Sequence, residues 1–300
     1  MFPIIPAASA ADSANQEGIF GYGYTTTAVS MTNLVSDAGV VATDVTGVGT
    51  VRNYLAACEY GGDKGIFGYG TNSATYNHSE TNLVTNTGVV GTDVTGVGTA
   101  RQYISACSYG GDKGIFGYGY HSWPSQASMT NLVSNAGVVA TDTTGVGTAR
   151  NGLASCEYGG DKGIFGYGNI AGGGNLSLTN LVSNVGVVGT DVTGVGTARQ
   201  VLAACSYGED KGIFGYGGGT YSITNLVSNA GVVGTDVTGV GTGRNALSAT
   251  QYGGDKGIFG FGTTGSITAV SNLVSNTGVV ATDVTGVGTA RVALAACSFN

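Results

Sequence analysis

Short apolar runs broken by glycine recur along nearly the whole chain, and they recur as a unit. The run GIFGYG, or GIFGFG, begins at Gly18, Gly65, Gly114, Gly163, Gly212 and Gly257, so successive starts lie 47, 49, 49, 49 and 45 residues apart. Each interval holds four runs of strand length. In the second unit they are Arg52–Tyr60 (RNYLAACEY), Lys64–Tyr69 (KGIFGY), Thr81–Asn86 (TNLVTN) and Gly88–Val94 (GVVGTDV). Their β-branched, aromatic and glycine residues suit strands and disfavour helix. The Gly-Gly-Asp between the first two runs predicts a hairpin, because glycine accepts the positive φ of a tight turn. A period of 45–50 residues with four short strands per unit is that of a β-propeller blade.

The two chain ends complete the count. The N-terminal unit supplies second, third and fourth strands only, at Gly18–Gly23, Met31–Ser36 and Gly39–Val45, while the chain finishes on a lone first strand, Arg291–Phe299. The expected fold is therefore all-β: a six-bladed β-propeller of four-stranded blades over residues 18–300, closed by a 3+1 split blade. Such closure leaves no open strand edge. The small residues of the first strand (LAAC) suit a crowded centre. Residues 1–17 read as an N-terminal arm, extended or docked on a partner.

Composition narrows the function classes. The formal charge is −7 and no basic cluster occurs. Sequence-independent nucleic-acid binding, which needs Lys and Arg against phosphates, is excluded. No apolar run reaches the roughly 18–20 residues of a bilayer span, so membrane insertion is not expected. The apolar start of the arm lacks a preceding basic residue and is interrupted by Pro3 and Pro6, and no secretory signal is recognised. Cys58, Cys107, Cys156, Cys205 and Cys297 occupy one repeat position, where Thr250 stands in the sixth copy. They read as reduced, buried small residues, since zinc would want spacings such as C-x2-C. Neither a metal nor a cofactor is expected.

Arg52, the LAACEY run, the GGDKG turn, GIFGYG ending at Gly70, then TNLV and GVVGTD follow the order of a kelch repeat, and the unit resembles one. It departs from that pattern in having Gly-Tyr-Gly for the Gly-Gly doublet and no Trp in the fourth strand. The text TNLVSNxGVVATDVTGVGTAR…GGDKGIFGYG also resembles repeats of predicted proteins in environmental tailed phages, across residues 18–299. That likeness implies a virion component (tail, fibre, neck or capsid decoration) assembled in the host cytoplasm. Its arm, Met1–Gln16, would join other virion proteins.

Where copies are nearly identical, specificity must lie where they diverge. One varied segment joins strands two and three: Tyr24–Ser30, Thr71–Glu80, Tyr120–Ser128, Asn169–Leu178, Gly218–Ile223 and Thr263–Val270. The other opens the first strand: Asn53-Tyr54, Gln102-Tyr103, Asn151-Gly152, Gln200-Val201, Asn245-Ala246 and Val292-Ala293. Up-and-down topology puts both on one face, around a channel mouth, while the GGDKG turns make the opposite face nearly constant. The candidate binding residues are Tyr24, Tyr54, Tyr76, His78, Tyr103, Tyr120, His121, Trp123, Asn175 and Tyr221. Aromatics among amides and hydroxyls suit a host surface glycan or protein. The competing explanation is drift in exposed loops.

Two charged sets recur once per unit: Arg52, Arg101, Arg150, Arg199, Arg244 and Arg291, and Asp44, Asp93, Asp142, Asp191, Asp236 and Asp283. Once-per-unit groups fit a structural ring, with Asp and Arg pairing or bonding loop backbone, better than a catalytic site, which needs unlike groups converging. TDVTGVGT resembles the sialidase repeat motif only loosely, and no catalytic residues are expected. The sequence points to a non-catalytic binding module, with a purely structural spacer as the alternative and a sialidase-like glycosidase as a more distant one.

Overall fold

The computed structural model describes residues 17–72, 76–122 and 125–299. All regular structure among them is β. Six three-stranded antiparallel sheets repeat one plan. The first strands are Ala56–Tyr60, Ser105–Tyr109, Ala154–Tyr158, Ala203–Tyr207, Ser248–Tyr252 and Ala295–Ser298. Each pairs with a second strand, such as Lys64–Gly68 or Lys113–Gly117, which pairs in turn with a TNLV or SNLV strand, such as Thr81–Val84. In the remaining sheet Gly18–Tyr24 lies between Ala28–Val35 and the C-terminal strand, with Ile19 opposite Cys297 and Phe20 opposite Ala296. The first strands contact one another in cyclic order, and Ala295–Ser298 returns to Ala56–Tyr60.

The expected fourth strand is present only as two bridges per unit, for example Thr81↔Val94 and Val84↔Val90. An asparagine side chain explains the gap. Asn82 is fully buried and its Nδ2 donates to Gly91 O (3.0 Å) and Asp93 Oδ1 (2.9 Å), where a continuous ladder would place backbone groups. Asn33, Asn131, Asn180, Asn225 and Asn272 repeat the arrangement.

Sheets meet through large-on-small contacts. A Cβ on Gly68 would lie 2.8 Å from the Phe116 ring of the next sheet, and one on Gly114 would lie 2.5 Å from Cys58 Sγ. Only glycine tolerates that approach. The pattern carries through the chain ends, where Phe20 covers Gly260 and Thr250 meets Gly18. Ile19, Phe20 and their repeats are fully buried, worth roughly 1.5–3 kcal/mol each in apolar surface removed from water. The five cysteines are buried and free.

The repeated Arg and Asp form part of this packing. All six arginines are fully buried. Arg101 donates to Tyr118 O (3.0 Å), Thr99 O (3.0 Å) and Asn131 Oδ1 (2.6 Å), and its guanidinium sits 4.9 Å over the Tyr69 ring of the preceding sheet. Asp44, Asp142 and Asp283 lie within 4 Å of the Arg of their own sheet, far away in sequence, and all six Asp accept from the backbone and hydroxyl of a Thr two residues before an Arg, as Asp93 does from Thr50. Asp142 Oδ1 lies 3.4 Å from Arg101, and Asp44 Oδ1 lies 3.9 Å from Arg291, at the opposite end of the chain. Partial burial opposes ionisation of Asp44, but hydrogen bonds from Thr289 and Asn33 outweigh it and hold the carboxyl below its ordinary value.

Candidate functional site

The first strands do not begin at the Arg, as the apolar pattern suggests. Two residues after each Arg the backbone turns left-handed, with φ of 50° at Tyr54, 52° at Tyr103, 60° at Gly152, 49° at Val201, 51° at Ala246 and 54° at Ala293. Non-glycine residues reach this region only when their surroundings hold them there. A closed circle of backbone hydrogen bonds does so. Tyr54 N donates to Ala293 O (2.8 Å), Tyr103 N to Tyr54 O (3.0 Å), Gly152 N to Tyr103 O (3.1 Å), Val201 N to Gly152 O (2.7 Å), Ala246 N to Val201 O (2.9 Å) and Ala293 N to Ala246 O (2.8 Å). Beneath this circle lies a cavity of about 110 Å³ lined by all six first strands.

Just outside the circle, the two varied segments are bridged to each other. Asn53 exchanges backbone hydrogen bonds with Thr71, Gln102 with Tyr120, and Val292 with Tyr24. These clamps fix Tyr24 and Tyr120 beside Tyr54 and Tyr103, and the four tyrosines line one cleft of about 570 Å³. Tyr54 and Tyr103 stack with ring centroids 3.7 Å apart, and Tyr103 and Tyr120 follow at 5.6 Å. Burial, and then the neighbouring Tyr54 phenol, push the Tyr103 hydroxyl well up, so it stays a neutral donor. The other four positions of the circle carry Gly152, Val201, Ala246 and Ala293, so the cleft occupies one side of the circle only.

The remaining candidates fall elsewhere. Tyr76 is 69% exposed and outside the cleft lining, although its neighbour Asn77 donates to His121 O (2.9 Å) and laces the second unit's loop to the third's. His78 Nδ1 meets Glu80 Oε2 at 3.0 Å. His121 sits on the small hairpin of Tyr120–Ser122 and Ser125–Gln126. Asn175 bonds Asn169 within its own hairpin, and Tyr221 packs by Gly218. Trp123 and the arm Met1–Gln16 lie outside the described residues.

Two groups escape a reading from sequence. Asn53 and Gln102 line the cleft and are only 6% and 5% exposed, and no side-chain hydrogen bond ties their amides to another described residue, so the amides are left to face the cleft. Their place in a varied dipeptide was the one available signal. At the far end of the first strands, Glu59 and Glu157 enter a second cavity, of about 60 Å³, with Ser108, Ser206, Gln251 and Ser298. Burial raises both carboxyls from 4.5 to about 7; Glu59 feels Ser298 Oγ (2.8 Å) and Glu157 feels Glu59. Spaced two units apart in sequence, they give no local motif.

No protein-family model matches the chain, and no curated relative matches it. Among the described residues no three His, Cys, Asp or Glu side chains are grouped to hold a metal ion, and no helix is long and apolar enough to cross a membrane.

Proposed function

We propose that the chain is a six-bladed β-propeller, closed by its 3+1 split sheet, that works as a non-catalytic binding module through the cleft at one channel mouth. The circle of six backbone hydrogen bonds supports the closed architecture. For function, the observation that carries the reading is a division of labour. The repeated residues are consumed by packing between sheets, whereas varied residues of three neighbouring units converge on one cleft held by backbone clamps. Drift alone gives no reason for four tyrosines and two nearly buried amides to meet on one side of a six-fold circle. A glycosidase would need paired carboxylates at the reacting bond, and among the described residues the cleft lining holds no Asp, Glu or His. The setting that suits this module is a virion surface facing a host glycan or protein, with Met1–Gln16 as the attachment; the phage-like repeat text supports it.

The test is a loop exchange. The segments 24–30, 71–80 and 120–128 are replaced by the short GGTYSI loop, and retention on a panel of bacterial envelopes is compared with the parent. Loop-dependent retention is expected. Retention indifferent to all three exchanges would leave only a spacer role.

A further inference from the structure

Resting on that binding-module reading, we propose that the cleft takes a neutral oligosaccharide of two to three sugar units. Its volume of about 570 Å³ lies in the range of small-ligand sites. Among the described residues, the lining contains no Lys, Arg, Asp, Glu or His. A sialylated, sulfated or phosphorylated ligand would bring charge into a site with nothing to neutralise it, at a desolvation cost that hydroxyls do not incur.

The polar groups present match hydroxyls instead. Asn53 and Gln102 each offer an amide NH₂ and a carbonyl oxygen. Both residues are nearly buried, so leaving these groups unmatched in a complex would be costly. A sugar hydroxyl donates and accepts at once and can satisfy either end. The tyrosines supply the complementary apolar surface. Tyr24 remains 40% exposed at the cleft edge, where a sugar ring can lie against it.

A peptide is the obvious competitor, and the backbone disfavours it. Peptides commonly join an open strand edge. Here the backbone groups of Asn53, Gln102 and Val292 are already paired with Thr71, Tyr120 and Tyr24. Side chains alone are left to recognise the ligand.

The experiment is calorimetric titration of the whole protein with maltotriose, cellotriose, triacetylchitotriose and a neutral galactose trisaccharide, against 3′-sialyllactose and polyphosphate. At least one neutral trisaccharide should bind, and the acidic probes should not. Tyr24→Ala, Asn53→Ala and Gln102→Ala should each weaken binding at least tenfold, while Tyr221→Ala, on the other side of the mouth, leaves it unchanged. Silence of every neutral probe, preference for an acidic one, or binding that survives both amide substitutions overturns the inference. A parallel arm separates it from the broader reading. Envelope retention that depends on the loops but is lost to proteinase K and resists periodate keeps the binding module and removes the glycan.

Discussion

Replacing Glu59 and Glu157 with glutamine should remove most of the pH dependence of stability between pH 5 and 8.5. Both carboxyls enter the small cavity at the GGD-turn end of the first strands, where serines, Thr250 and Gln251 are the other uncharged polar side chains among the described residues. Burial raises each from 4.5 to about 7. For one carboxyl that displacement corresponds to about 3 kcal/mol favouring the protonated form. The cavity is large enough to admit water, which eases ionisation, and we expect about 3 kcal/mol for the pair. The sign follows from proton linkage. The folded state holds these protons more tightly than the unfolded chain, so their stabilisation is complete below about pH 4.5 and is lost as pH rises through about 7. The Asp ring acts in a separate window. Asp44 and its repeats have lowered values, so their contribution is present above the ordinary 3.8 and fades only in acid. Urea midpoints measured from pH 5 to 8.5 should fall for the parent and stay flat for the double variant, which becomes the more stable protein at pH 8.5. Parallel curves would refute the protonated carboxyls.

Three further outcomes test the packing. Arg101→Leu strands Asn131 Oδ1, the buried Tyr118 carbonyl and the partly buried Thr99 carbonyl and should cost about 3 kcal/mol or more in urea denaturation; a loss below about 1 kcal/mol would contradict the role given to the ring. Gly114→Ala forces a Cβ to within 2.5 Å of Cys58 Sγ and should cost about 2 kcal/mol, part of which Cys58→Ala restores in the double variant; strict additivity would contradict the contact. Burial holds the Cys58 and Cys205 thiols at about 12, so none of the five cysteines should react with a thiol reagent at pH 8 until guanidinium is added.

Much of the architecture was legible because it repeats. The six GIFG runs, the GGD turns and the unequal ends locate the strands, and the pairing of Gly18–Tyr24 with Ala295–Ser298 follows the count. Less legible was anything that depends on one side chain replacing backbone. Nothing in TNLV announces that its Asn fills the place of a ladder, and nothing in RNYLAAC announces a left-handed turn at the third residue, since Tyr, Val and Ala all occupy it. Which Arg an Asp meets was equally silent in the sequence: the nearest lies eight residues ahead, whereas Asp142 sits beside Arg101 of its own sheet and also accepts from Thr99 N. For the site, varied loops and tyrosines were visible, but which of them meet was not: Tyr24, Tyr54, Tyr103 and Tyr120 come from three units, while Tyr76, Asn175 and Tyr221 turn elsewhere. Asn53 and Gln102 matter because the fold leaves them nearly buried with their amides lining the cleft, a property of the fold alone.

The central claim is a ring closed between the two ends of the chain, and amide hydrogen exchange on the unmodified protein tests it most directly. If the ring is closed, every amide of Gly18–Gly21 is bonded on one side or the other and should exchange as slowly as those of Gly65–Gly68 and Gly114–Gly117. If it is open, alternate amides of Gly18–Gly21 would face solvent and exchange orders of magnitude faster than their repeats.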